Sequence, residues 1–165
     1  MYEESLKMPF IAKWPGVTKE GSKCEAMIQN LDYAETFLEA AGTEIPSDMQ
    51  GRSLVPLLKG EVPAAWRKSL YYHFYEYPSV HQVARHNGVR GERYKLMHFY
   101  QFDEWEFYDL ETDPDELVNL YGNSDYADQI APMKAELKRL VEVYEDDSDM
   151  SVMPADWQAK FRKVP

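Results

Sequence analysis

Four histidines and one cysteine are the scarcest reactive side chains of this 165-residue sequence. His73 and His98 lie in aromatic stretches typical of strands, which favours packed side chains with hydrogen-bonded ring nitrogens. His81 and His86 instead flank Arg85 in a loop-like stretch, YPSVHQVARHNGV. Arginine presents a planar fork of donors to an anion, histidine donates or accepts, and a neighbouring tyrosine offers a flat face to a sugar ring. These types predict a site for a polar or anionic ligand at His81, Arg85 and His86, with packed side chains as the equally weighted alternative.

The order of residues predicts no catalytic residue and no metal ligand. The spacing of His81 and His86 brings no third ligand into register for a metal. The single cysteine, Cys24, has only Lys23 as a nearby cation, which predicts an idle or buried thiol. No Ser-His-Asp arrangement and no glycine-rich phosphate loop is recognisable. The acids of DLETDPDE lack the glycine and the spacing of an EF-hand calcium loop, so helix capping explains them better.

The composition is that of a folded, acidic chain. Hydrophobic residues make up 44% of the sequence, which is enough for a core, and the net charge is −11. Phosphate backbones and anionic membranes attract clustered lysine and arginine, so this charge predicts no nucleic-acid partner. No apolar run approaches the ~20 residues of a membrane span. One cysteine cannot form an internal disulfide, which leaves the redox compartment undetermined.

An apolar stretch near the start, Met8–Trp14, predicts a short strand that ends at a Trp-Pro-Gly turn. Its nearly continuous apolar character is typical of a strand buried on both faces of a parallel sheet. Before residue 69, only the stretch 24–29 could be a partner strand. We therefore expect a strand whose sheet is mostly absent from this sequence.

Two helices are predicted next. The stretch Asp32–Gly42 begins with a capping box of Asp32 and Glu35 and ends at a glycine. The stretch Ser53–Gly60 has serine as N-cap and proline in its first turn, which a helix tolerates.

The second half of the sequence predicts a four-stranded antiparallel sheet. Aromatic, strand-like stretches occur at Ser69–Glu76 and Glu104–Leu110. Between them, Gly88–Tyr100 is typical of a hairpin with Gly91-Glu92 as a two-residue turn. Short connections between such strands favour antiparallel pairing.

Helices are predicted to follow the sheet. Asp113 and Glu116 can cap a short helix over Asp113–Gly122. A long helix over Asp125–Tyr144 is predicted to cover one face of the sheet, because its apolar residues recur every three or four positions. The acidic run Glu145–Asp149 is expected to be a solvated helix end, and the tail 153–165 to hold one more helical turn. The apolar stripe consists of Tyr126, Ile130, Met133, Leu137, Leu140, Val141 and Tyr144. From the residues alone, the chain is an α+β protein.

Four stretches, taken in order, resemble the C-terminal part of the type I sulfatases, which belong to the alkaline phosphatase-like hydrolases. They are YEESLKMPFIAKWPG, NLDYAETFLEAAGTEIPSDMQGRSLVPLLKG, GVRGERYKLMHFY and EFYDLETDPDELVNLY. The resemblance extends from Tyr2 to Tyr144. One departure is Glu35, where the family commonly has proline.

This resemblance implies a domain organisation. Residues 1–62 would be a C-terminal remnant of the alkaline phosphatase-like α/β domain, and Met8–Trp14 a strand of its missing sheet. Residues 63–165 would be the C-terminal subdomain, a four-stranded antiparallel sheet packed on a long helix. If the large domain is absent, residues 2–60 should expose apolar surface and favour self-association.

The resemblance also implies a chemistry that this chain does not contain. In the family, a Cys or Ser followed by x-Pro-Ser/Ala-Arg is oxidised to formylglycine, and Asp and Asn side chains bind one calcium ion. Cys24 is followed by Glu-Ala-Met, so it does not belong to that motif. We therefore expect no cofactor in this chain, with calcium and formylglycine implied for the full-length enzyme. For a full-length bacterial homologue, a periplasmic or extracellular location is implied.

Three hypotheses follow for function. The first is the C-terminal portion of a sulfatase that hydrolyses sulfate esters of glycans, of the glucosamine 6-sulfate type, and is inactive alone. On this hypothesis the partners are a sulfated carbohydrate and the missing N-terminal sulfatase domain, and His81, Arg85 and His86 contact the substrate. The second is a non-catalytic binding module for sulfated sugars. The third is a truncated reading frame without activity.

Overall fold

The computed structural model describes residues 1–77, 80, 82–156 and 158. The chain divides into two units. The sheet unit comprises Met1–Lys7 and Tyr71–Pro165, and the helical unit comprises Met8–Leu70. The assignment of residues 1–62 to a larger α/β domain, separate from residues 63–165, stays a prediction.

The sheet has four strands in the order β1-β2-β3-β4, so neighbours in sequence are neighbours in space. Strand β3 pairs antiparallel with β2, where Arg90 lies opposite Lys95, and with β4, where Tyr94 lies opposite Asp109. The predicted four-stranded antiparallel sheet is therefore confirmed. Its strands are β1 (Ser69–Phe74), β2 (His86–Gly91), β3 (Tyr94–Phe99) and β4 (Glu104–Asp109).

The turn between β2 and β3 lies one residue later than predicted. Gly91 remains inside β2, and the two loop residues are Glu92 and Arg93. The Arg93 guanidinium donates to both carboxylate oxygens of Asp109, at 2.8 and 2.6 Å. This contact with β4 helps to set the position of the turn. The local Gly-X pattern does not indicate this contact, because Asp109 lies in another strand.

One face of the sheet is covered by helix α4 (Ala127–Val143), which follows a 3₁₀ turn over Ser124–Tyr126. The helix lies where the long amphipathic helix was predicted. All residues of the predicted apolar stripe belong to the core between helix and sheet or pack against it, which confirms the stripe. The buried core on this face consists of Val89, Leu96, Phe107, Leu137 and Leu140.

The opposite face of the sheet is covered by residues 1–7, which contain the one-turn helix α1 (Glu3–Leu6). Side chains alternate between the two faces of a strand, so Met97 and Tyr108 point away from α4. They form a second core cluster with Met1. Both faces of this sheet are therefore packed against other parts of the chain.

The helical unit contains α2 (Asp32–Ala40) and α3 (Val55–Leu58). Both predicted helices are confirmed, with shorter bounds. Gly42 and Gly60 follow them with φ of +69° and +86°, a left-handed conformation that ends a helix and favours glycine.

The predicted capping box at the start of α2 is wrong. The buried Asp32 carboxylate accepts a hydrogen bond from the Arg52 main-chain N–H at 2.9 Å and is paired with both arms of the Arg67 guanidinium. Glu35 Oε1 accepts from the Gly51 main-chain N–H at 2.6 Å. Both carboxylates therefore connect α2 to later segments, and neither caps the helix.

The predicted strand Met8–Trp14 is also wrong, because this stretch has no regular secondary structure. Met8 and Ile11 expose 72% and 92% of their surface. A strand needs a neighbour to take its backbone hydrogen bonds, and among the described residues no strand pairs with this stretch. The exposed side chains agree with the predicted apolar surface, whereas self-association stays a prediction.

The stretch Asp113–Gly122 forms turns, so the short helix predicted there is wrong. The Asp113 carboxylate accepts from two main-chain amides, at 3.1 and 2.9 Å. Glu116 has φ of +54°, in the left-handed region, which interrupts a helix. Its side chain pairs with the buried Lys95.

The helical turn predicted in the tail, residues 153–165, falls largely on residues outside the described range. Helix α4 has 17 residues and is the longest described helix. Within the described part of the chain, no helix has the length and apolar character needed to cross a membrane.

Candidate functional site

The three predicted binding residues have different positions. His81 lies outside the described residues. His86 is the first residue of β2 and is buried. Its Nδ1 lies 2.9 Å from the Ala84 carbonyl oxygen, so Nδ1–H donates and Nε2 is left as an acceptor, 3.0 Å from the Met1 main-chain nitrogen. Burial lowers the pKa of His86 to about 4, which keeps the ring neutral.

Aromatic rings surround His86 within the sheet. Its ring stacks on Tyr72 and Phe74 and is tilted against Phe99, with centroids 4.8 to 5.8 Å apart. This is the packed arrangement of the alternative interpretation. A binding role for His86 stays a prediction.

Arg85 is half-buried at the end of the loop that precedes β2. Its main-chain N–H donates to Gln101 Oε1 at 3.2 Å. Its side-chain Nε is buried and has no hydrogen-bond partner among the described residues. Hydrogen bonds from Ser151 and, to a smaller extent, the charge of Arg85 lower the pKa of Asp149. An arginine with an unused buried donor is suited to an anionic ligand.

A buried network that the sequence did not reveal lies beside Arg85. The Asp146 carboxylate, in the segment after α4, accepts from Tyr71 O–H and lies close to His73 Nδ1, both at 2.6 Å from Oδ2. His73 Nε2 lies 3.0 Å from Tyr100 Oη. Both ring nitrogens of His73 thus have a hydrogen-bond partner, the Asp146 carboxylate at Nδ1 and the Tyr100 hydroxyl at Nε2.

The electrostatics of this network favour an ionised Asp146. Burial works against the charge, but hydrogen bonds from Ser148, Tyr71 and His73 lower the pKa of Asp146 well below its usual range. Burial raises the pKa of Tyr100, and the charge of Arg85 opposes that rise. The network therefore connects the segment after α4, strand β1 and the surroundings of Arg85.

Tyr75 adds an exposed aromatic face to this region. Its ring lies on that of His73 with centroids 4.0 Å apart, and 55% of the residue is exposed. Tyrosine rings bind the apolar faces of sugars while the hydroxyl stays in water. Arg85 for an anionic group and Tyr75 for a sugar face are thus the chemical capacities of this site. His73 is enclosed, so it orients its neighbours and is not placed to attack a substrate.

Sequence reasoning found part of this site. The prediction that His73 is packed with hydrogen-bonded nitrogens is confirmed. The prediction that Glu145–Asp149 is a solvated helix end is wrong for Asp146, whose side chain is buried. The available signal was the alternation of Tyr71, His73 and Tyr75. It places Tyr71 and His73 on one face of β1, and Tyr75 directly follows the strand.

The comparison with protein families is specific. The sequence profile of the family "N-sulphoglucosamine sulphohydrolase, C-terminal" matches residues 1–143. The chain is 47% identical to the N-acetylglucosamine-6-O-sulfatase of Bacteroides thetaiotaomicron over 150 residues, which cover 89% of this chain and 27% of that protein. It is 31% identical to the Delta 4,5-hexuronate-2-O-sulfatase of the same bacterium over 159 residues, covering 94% of this chain and 32% of that protein.

Solved structures agree with this comparison. The structure of BT4656 in complex with its substrate D-glucosamine-2-N,6-O-disulfate matches with a TM-score of 0.81 and 44% identity, covering 84% of this chain and 28% of that one. The phosphonate monoester hydrolase SpPMH from Silicibacter pomeroyi matches with a TM-score of 0.72 and 26% identity, covering 82% and 29%. The chain thus spans under a third of the length of these relatives. It belongs to the N-sulphoglucosamine sulphohydrolase C-terminal family, the C-terminal part of the alkaline phosphatase-like sulfatases.

Proposed function

We propose that this chain is the C-terminal portion of a sulfatase that hydrolyses sulfate esters of sulfated glycans, and that it contributes substrate contacts. The observation that carries the proposal is the 47% identity with an N-acetylglucosamine-6-O-sulfatase over 89% of the chain. The likeness to BT4656, whose substrate is D-glucosamine-2-N,6-O-disulfate, supports a sulfated glucosamine as the substrate class.

The chemical step belongs to the part of the enzyme that this chain does not include. Among the described residues, no group of three or more His, Cys, Asp or Glu side chains could hold a metal ion. Cys24 is exposed and is followed by Glu-Ala-Met, which does not fit the family's formylglycine motif. The described residues therefore fit neither the calcium ion nor the formylglycine that the family implies. On this proposal the full-length enzyme carries both groups in its N-terminal domain.

Substrate contacts are assigned to the Arg85 region. The guanidinium would pair with a sulfate group, because a planar fork of N–H donors matches sulfate oxygens as it matches phosphate oxygens. The exposed ring of Tyr75 would lie along a sugar ring. Of the histidines first considered, His81 would lie next to this site in sequence. His86 would support it from within the sheet.

A chimera tests this proposal. The matching segment of the B. thetaiotaomicron N-acetylglucosamine-6-O-sulfatase is replaced by this chain, and sulfate release from N-acetylglucosamine 6-sulfate is measured. We expect an active chimera in which Arg85→Ala raises KM about 10- to 100-fold, since a charge-assisted hydrogen bond contributes roughly 1.5–3 kcal/mol. Arg139→Ala, on an exposed side chain of α4, is the matched control and should leave KM unchanged. A folded chimera without sulfatase activity, or equal KM for both variants, contradicts the proposal.

A non-catalytic binding module for sulfated sugars is the second candidate. It is favoured by the buried Nε of Arg85, which has no hydrogen-bond partner among the described residues. The net charge of −11 disfavours nonspecific attraction of a sulfated oligosaccharide, so measured binding would indicate a specific site. Calorimetric titration of the 165-residue chain with a sulfated oligosaccharide tests this function. One-to-one binding that is lost in Arg85→Ala supports it, and the absence of binding by the unmutated chain eliminates it.

A further inference from the structure

The segment that follows α4 returns across the sheet. Tyr144 ends the helix, and Glu145 has φ of +51°, a left-handed conformation that reverses the chain. Residues 145–153 are here named the strap. Its acidic part, Glu145–Asp149, was predicted to be a solvated helix end. Asp146 instead anchors the strap to β1 through Tyr71 and His73, at 2.6 Å each.

The strap has two further attachments to the sheet unit. Asn87 Nδ2, on β2, lies 3.1 Å from the Met150 sulfur. The Met153 main-chain N–H donates to the Gln101 carbonyl oxygen at 2.8 Å. The strap therefore contacts β1, β2 and Gln101, the second residue after the end of β3.

Gln101 connects the strap to Arg85. Its carbonyl oxygen accepts from Met153, and its side-chain Oε1 accepts from the Arg85 main-chain N–H at 3.2 Å. Gln101 is itself buried. The strap and the main chain of Arg85 are thus both hydrogen-bonded to Gln101.

The side chain of Arg85 has a buried hydrogen-bond donor that is available for a ligand. Its Nε is buried and has no hydrogen-bond partner in the described part of the chain. Leaving a buried donor unpaired is unfavourable, so a fold that retains one must hold it by other contacts. The Gln101 side chain holds the main chain of Arg85, from which the guanidinium extends. An arginine held in place before binding loses less conformational freedom when it binds.

We propose that the strap positions Arg85 for the sulfate group of the substrate, and that Gln101 is the positioning residue that connects them. This inference rests on the proposed function, because the ligand of Arg85 is the sulfated sugar named there. It adds that the strap, which is not assigned a contact with the substrate, influences substrate affinity.

Gln101→Met is the decisive variant, because it keeps the side-chain volume and removes the Oε1 acceptor. Gln101→Glu keeps an acceptor and is the conservative rescue. Asp147→Asn changes an exposed carboxylate of the same strap and is the matched control. Hydrogen exchange of the Arg85 amide measures the coupling, and KM and kcat of the chimera measure its effect on the substrate.

We expect Gln101→Met to speed exchange of the Arg85 amide about tenfold and to raise KM about tenfold with kcat nearly unchanged. Gln101→Glu should restore most of both, and Asp147→Asn should change neither. If Gln101→Met does not fold, Asp146→Asn replaces it, since it weakens the anchor at β1 and should loosen the same amide.

Unchanged exchange at Arg85 overturns the coupling, and faster exchange with unchanged KM overturns the role in substrate binding. An effect on kcat alone also overturns that role. An unmutated chimera without activity, together with no binding by the 165-residue chain, refutes the proposed function. The exchange measurement still decides whether the strap holds Arg85, so the two failures are distinguishable.

Discussion

Replacing Glu116 by glutamine should destabilise this chain strongly, because Glu116 balances a buried cation. Lys95 is 0% exposed, and its Nζ lies 2.6 Å from Glu116 Oε1 and 2.7 Å from Glu3 Oε1. Glu116 Oε2 also accepts from the Glu3 main-chain N–H at 2.6 Å. The Arg90 guanidinium completes the cluster by pairing with Glu3 at 3.1 Å. Two cations and two carboxylates thus meet under residues 1–7.

The magnitude follows from the loss of this balance. Glutamine keeps the shape of the side chain and removes one negative charge, so two cations face one carboxylate. Breaking a buried pair in this way costs about 3–5 kcal/mol. Glu3 remains within 2.7 Å of Lys95, so we expect the lower end, about 3 kcal/mol. For a chain of this length, that corresponds to a fall in Tm of about 6–12 °C.

Urea unfolding followed by tryptophan fluorescence measures this loss. Glu111→Gln is the matched control, because Glu111 pairs with Arg93 while 66% of its side chain is exposed. An exposed pair of this kind contributes no more than about 1 kcal/mol. Adding Lys95→Met to Glu116→Gln restores one cation against one carboxylate, so part of the lost stability should return. Equal losses for Glu116→Gln and Glu111→Gln, or a further loss in the double variant, would refute the reasoning.

The remaining predictions concern pH and activity. Burial lowers the pKa of His86 to about 4 from its ordinary value of 6.5, so an unfolded chain takes up this proton first as pH falls. The contribution of neutral His86 to the free energy of unfolding is therefore fully present above about pH 6.5 and is lost as pH falls toward 4. Replacing the ring by His86→Phe should make the free energy of unfolding less dependent on pH between these values. Asp146 also has a lowered pKa, so its contribution is complete above its unfolded value of 3.8 and is lost as pH falls below it. Asp146→Asn should reduce the loss of stability on acidification below about pH 4. Finally, the purified chain should not hydrolyse 4-nitrophenyl sulfate, because Cys24 does not fit the formylglycine motif and no metal cluster exists among the described residues.

Each of these outcomes has a clear contrary result. A pH profile between 4 and 6.5 that His86→Phe leaves unaltered would mean that His86 titrates normally in the folded chain. An acid limb that Asp146→Asn leaves unaltered would mean that this carboxylate is not held by Tyr71 and His73. Turnover of 4-nitrophenyl sulfate that a chelator abolishes would place catalytic groups within this chain.

Elements with a local repeat were predictable from the sequence. The stripe of α4 and the four strands have periods of a few residues, and packing of helix on sheet follows from them. Met8–Trp14 shows the limit of this reasoning. Its apolar run has the composition of a buried strand, but strand formation depends on a neighbour elsewhere in the chain. The composition of one stretch does not show whether such a neighbouring strand exists.

Carboxylates were the residues most often assigned wrongly. Asp32 and Glu35 fit a capping box by spacing, yet their partners include Arg67, which is far along the chain. Asp146 lies in an acidic run typical of a solvated helix end, yet its partner is His73. Local motifs describe neighbours within one turn, so they cannot recognise an acid whose hydrogen bonds reach another segment.

Lys95 shows why the alternation of side chains along a strand can be predicted correctly while the burial of a charged residue is missed. On β3, Leu96 faces α4, so alternation places Lys95 and Met97 on the other face. An antiparallel sheet commonly has one solvated face, and a lysine is expected there. Here residues 1–7 cover that face, and the same segment supplies Glu3 as a partner for the lysine. The docking of residues 1–7 therefore both buries the charge of Lys95 and neutralises it. No periodic pattern in the sequence predicts where this segment docks. Gln101 is a similar case, because no sequence motif distinguishes it. Its proposed role follows from two hydrogen bonds, one from Met153 of the strap to its carbonyl oxygen and one from the Arg85 main chain to its Oε1.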